Sequence, residues 1–312
     1  MEKKKLKYIL RDFLLALRYI YLLPKTVYRE PINSAYFRLY PEIYGNSNNK
    51  NGLDFPIPTI SGYLYGVLRN NKKRLVDDKK ELEIIKMNHE LNSSVSNNNI
   101  EYYFINGIMT DTYTLRKNLL ALSYCLGDPV VGLYNPTHGF TVDLLECIRG
   151  RSLDEPSDIA LKIKDFLKKR LLETRDSEKR IVVFAHSQGG IIGTNAINLL
   201  EKEISDNDLS KLSFITFGSA ADDIVHSKKV YCEHFGNTGD FVARIGIINT
   251  LKKPVAYNKL YERDFKGHLL NMHYLENFCL YPVKDSLYYR LTKKERLDNI
   301  KQGKVQLTPY KL

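Results

Sequence analysis

The sequence predicts an α/β fold, a mostly parallel sheet covered by helices on both faces, with helical additions at the two ends of the chain. Three observations carry this. After residue 100, short continuous apolar runs alternate with amphipathic helical stretches, the pattern of strands buried on both faces. One of those runs passes through a tight turn of small residues directly into a helix. The 312 residues are 43% hydrophobic and 27% charged, an ordinary globular balance. That balance excludes wholesale disorder, a collagen-like chain and a disulfide scaffold.

In chain order, Leu6, Ile9, Leu10, Phe13, Leu14, Leu17, Ile20 and Tyr21 recur at helical spacing up to Pro24. Arg11, Asp12 and Arg18 interrupt any signal-peptide core, and no small-x-small site follows, so a secretory leader is not expected. Two readings of this helix stand. It packs on the surface of the domain, or it lies on a membrane with its apolar stripe between basic flanks. Residues 26–68, rich in Tyr, Pro and Gly, read as an irregular cap with a loop at 45–52. Residues 72–91 read as a charged helix with Leu75, Leu82, Ile85 and His89. The polar stretch 92–99 is the expected boundary. The expected division is an N-terminal extension over 1–99, a core over 100–282 and a basic C-terminal tail over 283–312.

Within the core, Tyr102–Ile105 reads as a strand, and Leu115, Leu119, Leu122 and Leu126 mark a helix capped near Thr110 or Asp111. Val130–Tyr134 is the next strand. Ser157 is placed to cap a helix carrying Ile159, Ile163, Phe166, Leu167 and Leu171. Ile181–Phe184 precedes a helix over Gly189–Leu200, and Leu212–Phe217 and Val230–Phe235 complete the strands.

Charge is concentrated at the ends. Lys and Arg number 47 against 36 Asp and Glu, a net charge of +11. Residues 1–25 hold +5 of it and residues 283–312 another +5, leaving the body near +1. A nucleic-acid enzyme carries its basic stripe across the body, so no nucleic-acid partner is expected. Basic ends suit an anionic membrane surface or an acidic partner. No apolar run of about 18 residues is present, so no transmembrane helix is expected. The four cysteines, Cys125, Cys147, Cys232 and Cys279, never form C-x-x-C. They read as reduced structural thiols in a cytoplasmic protein, peripheral membrane association remaining open, and not as a zinc site.

The chemistry centres on Ile181-Val182-Val183-Phe184-Ala185-His186-Ser187-Gln188-Gly189-Gly190. A serine on a sharp strand-to-helix turn is held in a strained backbone and projects from the strand end. Residues two positions either side must be small, as Ala185 and Gly189 are. The following helix aims its N-terminal N–H groups at developing negative charge, and Gly190 and Gly193 let it approach the sheet.

This stretch resembles the nucleophile elbow of the α/β-hydrolases, with Ala185 where most members carry Gly. Phe104-Ile105-Asn106-Gly107-Ile108-Met109-Thr110 is similar to the oxyanion loop of lipases, with Asn106 in place of the usual His. The resemblance implies that the backbone N–H groups of Ile108 and Gln188 form the oxyanion hole. Phe214-Ile215-Thr216-Phe217-Gly218-Ser219 and Asn237-Thr238-Gly239-Asp240-Phe241-Val242 resemble class 3 (fungal-type) lipases, which implies Asp240 as the acid. Asp222 and Asp223 are runners-up, and with His226 they would make a poor metal site. Chain order Ser, Asp, His leaves His268 or His273 as base. Gly267-His268 looks like the family's loop, and His273 is the alternative on the following helix. His186 reads as packing, and His138 as a turn or pocket residue. Tyr134-Asn135-Pro136-Thr137-His138-Gly139 is similar to a segment of uncharacterised chlamydial α/β-hydrolases. The resemblance covers residues 100 to about 282.

The expected function is a serine hydrolase that cleaves a carboxylic ester through Ser187, His268 and Asp240. Its substrate would be a small-molecule or lipid ester, and no cofactor or metal is needed. The alternatives are a non-catalytic membrane- or partner-binding protein on a hydrolase-derived scaffold, or an acyltransferase or peptidase using the same residues.

Overall fold

The apolar runs pair into one seven-stranded sheet. In the computed structural model, residues 10–11, 14–25, 84–87, 99–108, 110, 112–136, 156–251, 256–281, 283, 285–302 and 304 are described. The strands are β1 (Ile84–Met87), β2 (Ile100–Ile105), β3 (Val130–Leu133), β4 (Arg180–His186), β5 (Leu212–Phe217), β6 (Tyr231–Gly239) and β7 (Asn258–Lys266). Their order is β1-β3-β2-β4-β5-β6-β7. β1 pairs antiparallel with β3, and every other neighbouring pair is parallel. The helices are α1 (Thr112–Leu126), α2 (Asp158–Glu173), α3 (Gln188–Leu200), α4 (Asp206–Leu209), α5 (Phe241–Ile245), α6 (Ile247–Thr250), α7 (Leu287–Leu291) and α8 (Lys294–Lys301). The result is the expected class of α/β fold, a sheet parallel except at one antiparallel edge, with helices on both faces.

The central strands are apolar throughout because both of their faces are covered. In β4, Val182 and Phe184 join the core under α1, α7 and α8, while Ile181, Val183 and Ala185 join the core under α2 and α3. α1 contributes Leu115, Leu119, Leu122 and Leu126 to the first layer. α2 contributes Ala160, Ile163, Leu167 and Leu171 to the second. Each fully buried leucine is worth about 1.5–3 kcal/mol relative to exposure. The cap of α2 is the expected one, Ser157 Oγ accepting the Ala160 N–H at 3.3 Å.

Three expectations differ from the structure. Residues 72–91 were expected as a charged helix, but Ile84–Met87 form the edge strand β1, which pairs with β3 on its inward side. The rest of that stretch, the cap at 26–68, the loop at 45–52 and the connection at 92–98 lie outside the described residues. β7 has no counterpart among the expected strands. Its sequence, NKLYERDFK, is rich in charge, as exposed edge strands are. Residues 285–301 were expected in a tail, yet Tyr288 is fully buried and packs edge-on against Phe184, Phe217 and Phe235. The carboxyl group of Glu233 on β6, fully buried, draws α7 in. It accepts the N–H groups of Leu287 at 2.6 Å and Tyr288 at 3.0 Å and the Tyr231 hydroxyl at 2.8 Å.

Candidate active site

β4 ends at His186, and the chain turns at Ser187 into α3. Ser187 has φ 57° and ψ −125°. It is the one non-glycine residue with positive φ among the described residues. Such backbone costs on the order of 1–3 kcal/mol and persists only where its surroundings over-determine it. Here the Ser187 N–H donates to the Phe217 carbonyl at 3.3 Å, and the Ser187 carbonyl accepts from Gly190 and Ala220 at 3.0 Å each. The residue is 5% exposed.

The loop after β2 lies against this turn. Gly107 is so close that a Cβ on it would stand 2.6 Å from the Ser187 Cβ. The loop is braced by an amide ladder. Asn106 donates from Nδ2 to the carbonyls of Gly107 and Asn135 at 3.0 and 2.8 Å, and its Oδ1 accepts the Asn135 N–H at 2.8 Å. Asn135 Nδ2 then donates to Gln188 Oε1 at 2.9 Å. Gln188 opens α3, and first-turn amides point out of a helix N-terminus. Ile108 sits in the turn, partly exposed. His138 lies outside the described residues.

Asp240 follows β6 and is fully buried. Its Oδ1 caps α5, accepting from Val242 at 2.8 Å and Ala243 at 3.3 Å. Its Oδ2 meets His268 Nδ1 at 2.7 Å and accepts the Tyr274 hydroxyl at 2.6 Å. Burial and the Asp240 carboxylate hold the Tyr274 phenol well above its usual range, so it stays a donor. Gly218, with φ 55°, roofs this group. A Cβ there would come within 2.9 Å of Asp240 Oδ2 and of Tyr274 Oη, and 3.0 Å of His268 Nδ1.

His268 stands on the loop after β7, one residue beyond Gly267 with φ 98°. His186 steadies it. Its Nε2 donates to the His268 carbonyl at 2.7 Å, and the two rings are 4.5 Å apart. Burial, and then the His268 ring, hold His186 well below the usual histidine range, so it is neutral. Asn237 clamps the loop through the Gly267 and His273 carbonyls at 3.1 and 3.2 Å. Arg263 in turn donates to Asn237 Oδ1 at 2.7 Å and to the His273 and Asn277 carbonyls.

The structure therefore brings His268, not His273, to Asp240. His273 lies in a π-helical turn, Leu270–Leu275, where its Nδ1 accepts the Leu269 N–H at 2.8 Å. Asp222 pairs with Arg11, and Asp223 lies 3.1 Å from His226. Among the described residues no group of His, Cys, Asp and Glu could hold a metal ion. Neither Ser187 Oγ nor His268 Nε2 bonds a described residue, so the two are not joined. Sequence reasoning missed Tyr274, Asn135, Asn237 and Arg263 as supports. Asn237 carried a signal, its place in the segment that contains Asp240.

No protein-family model and no curated protein matches the chain. Some solved structures are similar to it. The chain is 9% identical to a bacterial heroin esterase, with a TM-score of 0.40 over 81% of this chain and 93% of that one. It is 11% identical to a monoglyceride lipase from Saccharomyces cerevisiae, with a TM-score of 0.37 over 72% and 92%. It is 15% identical to Trichoderma reesei cutinase, with a TM-score of 0.32 over 48% and 69%. Similarity of this order transfers no activity. Among the described residues, no helix is long and apolar enough to cross a membrane.

Proposed function

We propose that the chain is a serine hydrolase that cleaves a carboxylic ester through an acyl-enzyme. Ser187 Oγ attacks the ester carbonyl. His268 takes the serine proton on Nε2 and returns it to the leaving alkoxide. Asp240 holds the imidazole by Nδ1–H and stabilises the imidazolium that forms. The N–H groups of Ile108 and Gln188 bind the oxyanion. Water, activated by the same imidazole, releases the acid. This sequence of steps uses no cofactor.

The observation that most supports the reading is the 2.7 Å contact of His268 Nδ1 with the buried Asp240 carboxylate. It fixes the tautomer whose Nε2 lone pair is available as a base. The strained backbone of Ser187 adds to it, since such strain clusters at active sites. The segments around Phe217-Gly218 and Asn237 to Val242, similar to class 3 lipases, favour an acyl ester, lipid esters among them, as substrate.

A fluorophosphonate probe tests the nucleophile. Wild type should be labelled and Ser187→Ala should not; absence of labelling on well-folded wild type overturns the proposal. A series of p-nitrophenyl esters of increasing acyl length tests the base and the substrate together. His268→Ala should lose turnover and His273→Ala should keep it, and the reverse result would exchange their roles.

A further inference from the structure

The helical segment that leads into Ile20–Lys25 packs beside α5 and the loop after β5, which adjoin the turn at Ser187. Residues 14–19 are helical and run into a 3-10 helix, Ile20–Lys25. Its inner side is held at three points. Leu22 is buried at 4% exposure, the Tyr19 ring lies 5.7 Å from the Arg244 guanidinium on α5, and Arg11 pairs with Asp222. Both anchors neighbour the candidate site. α5 begins directly after Asp240, and Asp222 lies two residues beyond Ala220, whose N–H donates to the Ser187 carbonyl at 3.0 Å.

The outer side is apolar. Leu10, Leu14, Leu17, Ile20 and Tyr21 are 54, 56, 48, 55 and 61% exposed. Steps of four, three, three and one residues bring them to one face of a helix. They are five of the eight large hydrophobic residues exposed among the described residues. Single exposed apolar residues are ordinary, but a contiguous set marks a surface that something covers.

Charge indicates what covers it. The first 25 residues carry Lys3, Lys4, Lys5, Lys7, Arg11, Arg18 and Lys25 against Glu2 and Asp12. A second copy meeting this face about a twofold axis would set like charge against like charge. An anionic bilayer offers hydrocarbon to the stripe and opposite charge to the lysines. We infer that this helix docks the protein on an anionic lipid bilayer and so holds α5 and the loop after β5, which adjoin Ser187, at the membrane surface. Docking stands on the helix alone. Only its consequence, access of Ser187 to esters in the bilayer, rests on the hydrolase reading.

The test is co-sedimentation of the full chain with vesicles of phosphatidylcholine containing about one third phosphatidylserine, beside vesicles of phosphatidylcholine alone. Wild type should bind the anionic vesicles preferentially. Leu14→Asp/Leu17→Asp should lower that binding at least about tenfold while p-nitrophenyl acetate turnover and the melting temperature stay unchanged. Binding that ignores the substitutions, or shows no anionic preference, overturns docking. So does a variant that melts earlier without loss of vesicle binding, since the stripe would then be covered by the protein's own chain. A dimer in sedimentation velocity that the substitutions dissociate would assign the face to a second copy and likewise overturn it. Failure of the hydrolase reading is distinguishable, because vesicle binding would then persist without Ser187-dependent turnover of any ester.

Discussion

Two buried histidines, one within β6 and one on the loop after β7, differ in what their rings meet. His234 lies within β6. Its Nε2 donates to Asn258 Oδ1 at 3.2 Å, and its Nδ1 accepts the Thr216 hydroxyl at 2.8 Å. Burial pushes its pKa down to about 4. His268 stands on the loop after β7, with Nδ1 on a carboxylate and Nε2 bonded to no described residue. Both rings are inside the protein, so burial alone does not distinguish them. A strand position with both nitrogens engaged by neutral groups makes an inert, neutral ring. A loop position with a carboxylate on one nitrogen leaves the other to accept a proton.

The sharpest way to break this comparison is to remove each ring. His268→Ala should lower kcat/KM for a p-nitrophenyl ester by about 10⁴–10⁶-fold with little change in melting temperature. Full activity in that variant would end the contrast. Asp240→Asn keeps an Oδ1 acceptor for α5 but favours the wrong imidazole tautomer, and should cost about 10⁴-fold in kcat. His234→Ala should do the opposite. It empties a buried site and strands Thr216 and Asn258, costing about 2–4 kcal/mol in urea unfolding, with turnover per folded molecule preserved.

Titration sharpens the contrast further. Unfolded His234 binds its proton near the ordinary 6.5, and the folded ring only near 4. Its contribution to stability is therefore complete above pH 6.5 and is lost as pH falls toward 4, by about 3 kcal/mol at most. His186, also held low by burial, adds to the same slope. Urea midpoints across that window should fall for wild type and fall less for His234→Gln; an identical slope in the variant would remove His234 as a cause. The smallest effect is expected for Tyr274→Phe. The substitution removes a donor to Asp240 Oδ2, and kcat should fall about three- to tenfold. An unchanged kcat would reduce Tyr274 to packing.

Much of the architecture was legible because it is local. The run Ile181–Phe184, the turn at Ser187 and the apolar helix after it are contiguous, and contiguity is what periodicity and motif spacing read. The Gly267-His268 pair signalled a loop for the same reason. Long-range partners were not legible. Nothing in the sequence around Tyr274 shows that its hydroxyl reaches a carboxylate 34 positions earlier. The same holds for Asn135 meeting Gln188, 53 positions later. β7 escaped notice because an edge strand alternates charge where a central strand is apolar. α7 and α8 read as a basic tail because their charged residues outnumber the few side chains, Tyr288, Leu297 and Ile300, that enter the core.

Glu233 carries a practical consequence for anyone trimming this protein. A chain stopped short of residue 285 would strip that acid of both amide partners from α7 and uncover the ring wall of Phe184, Phe217 and Phe235. What remained would be a shorter polypeptide with a dry carboxyl group and a sticky flank, and it should gather in inclusion bodies. The final helices are a keystone of the domain and belong in every truncated version meant to stay in solution.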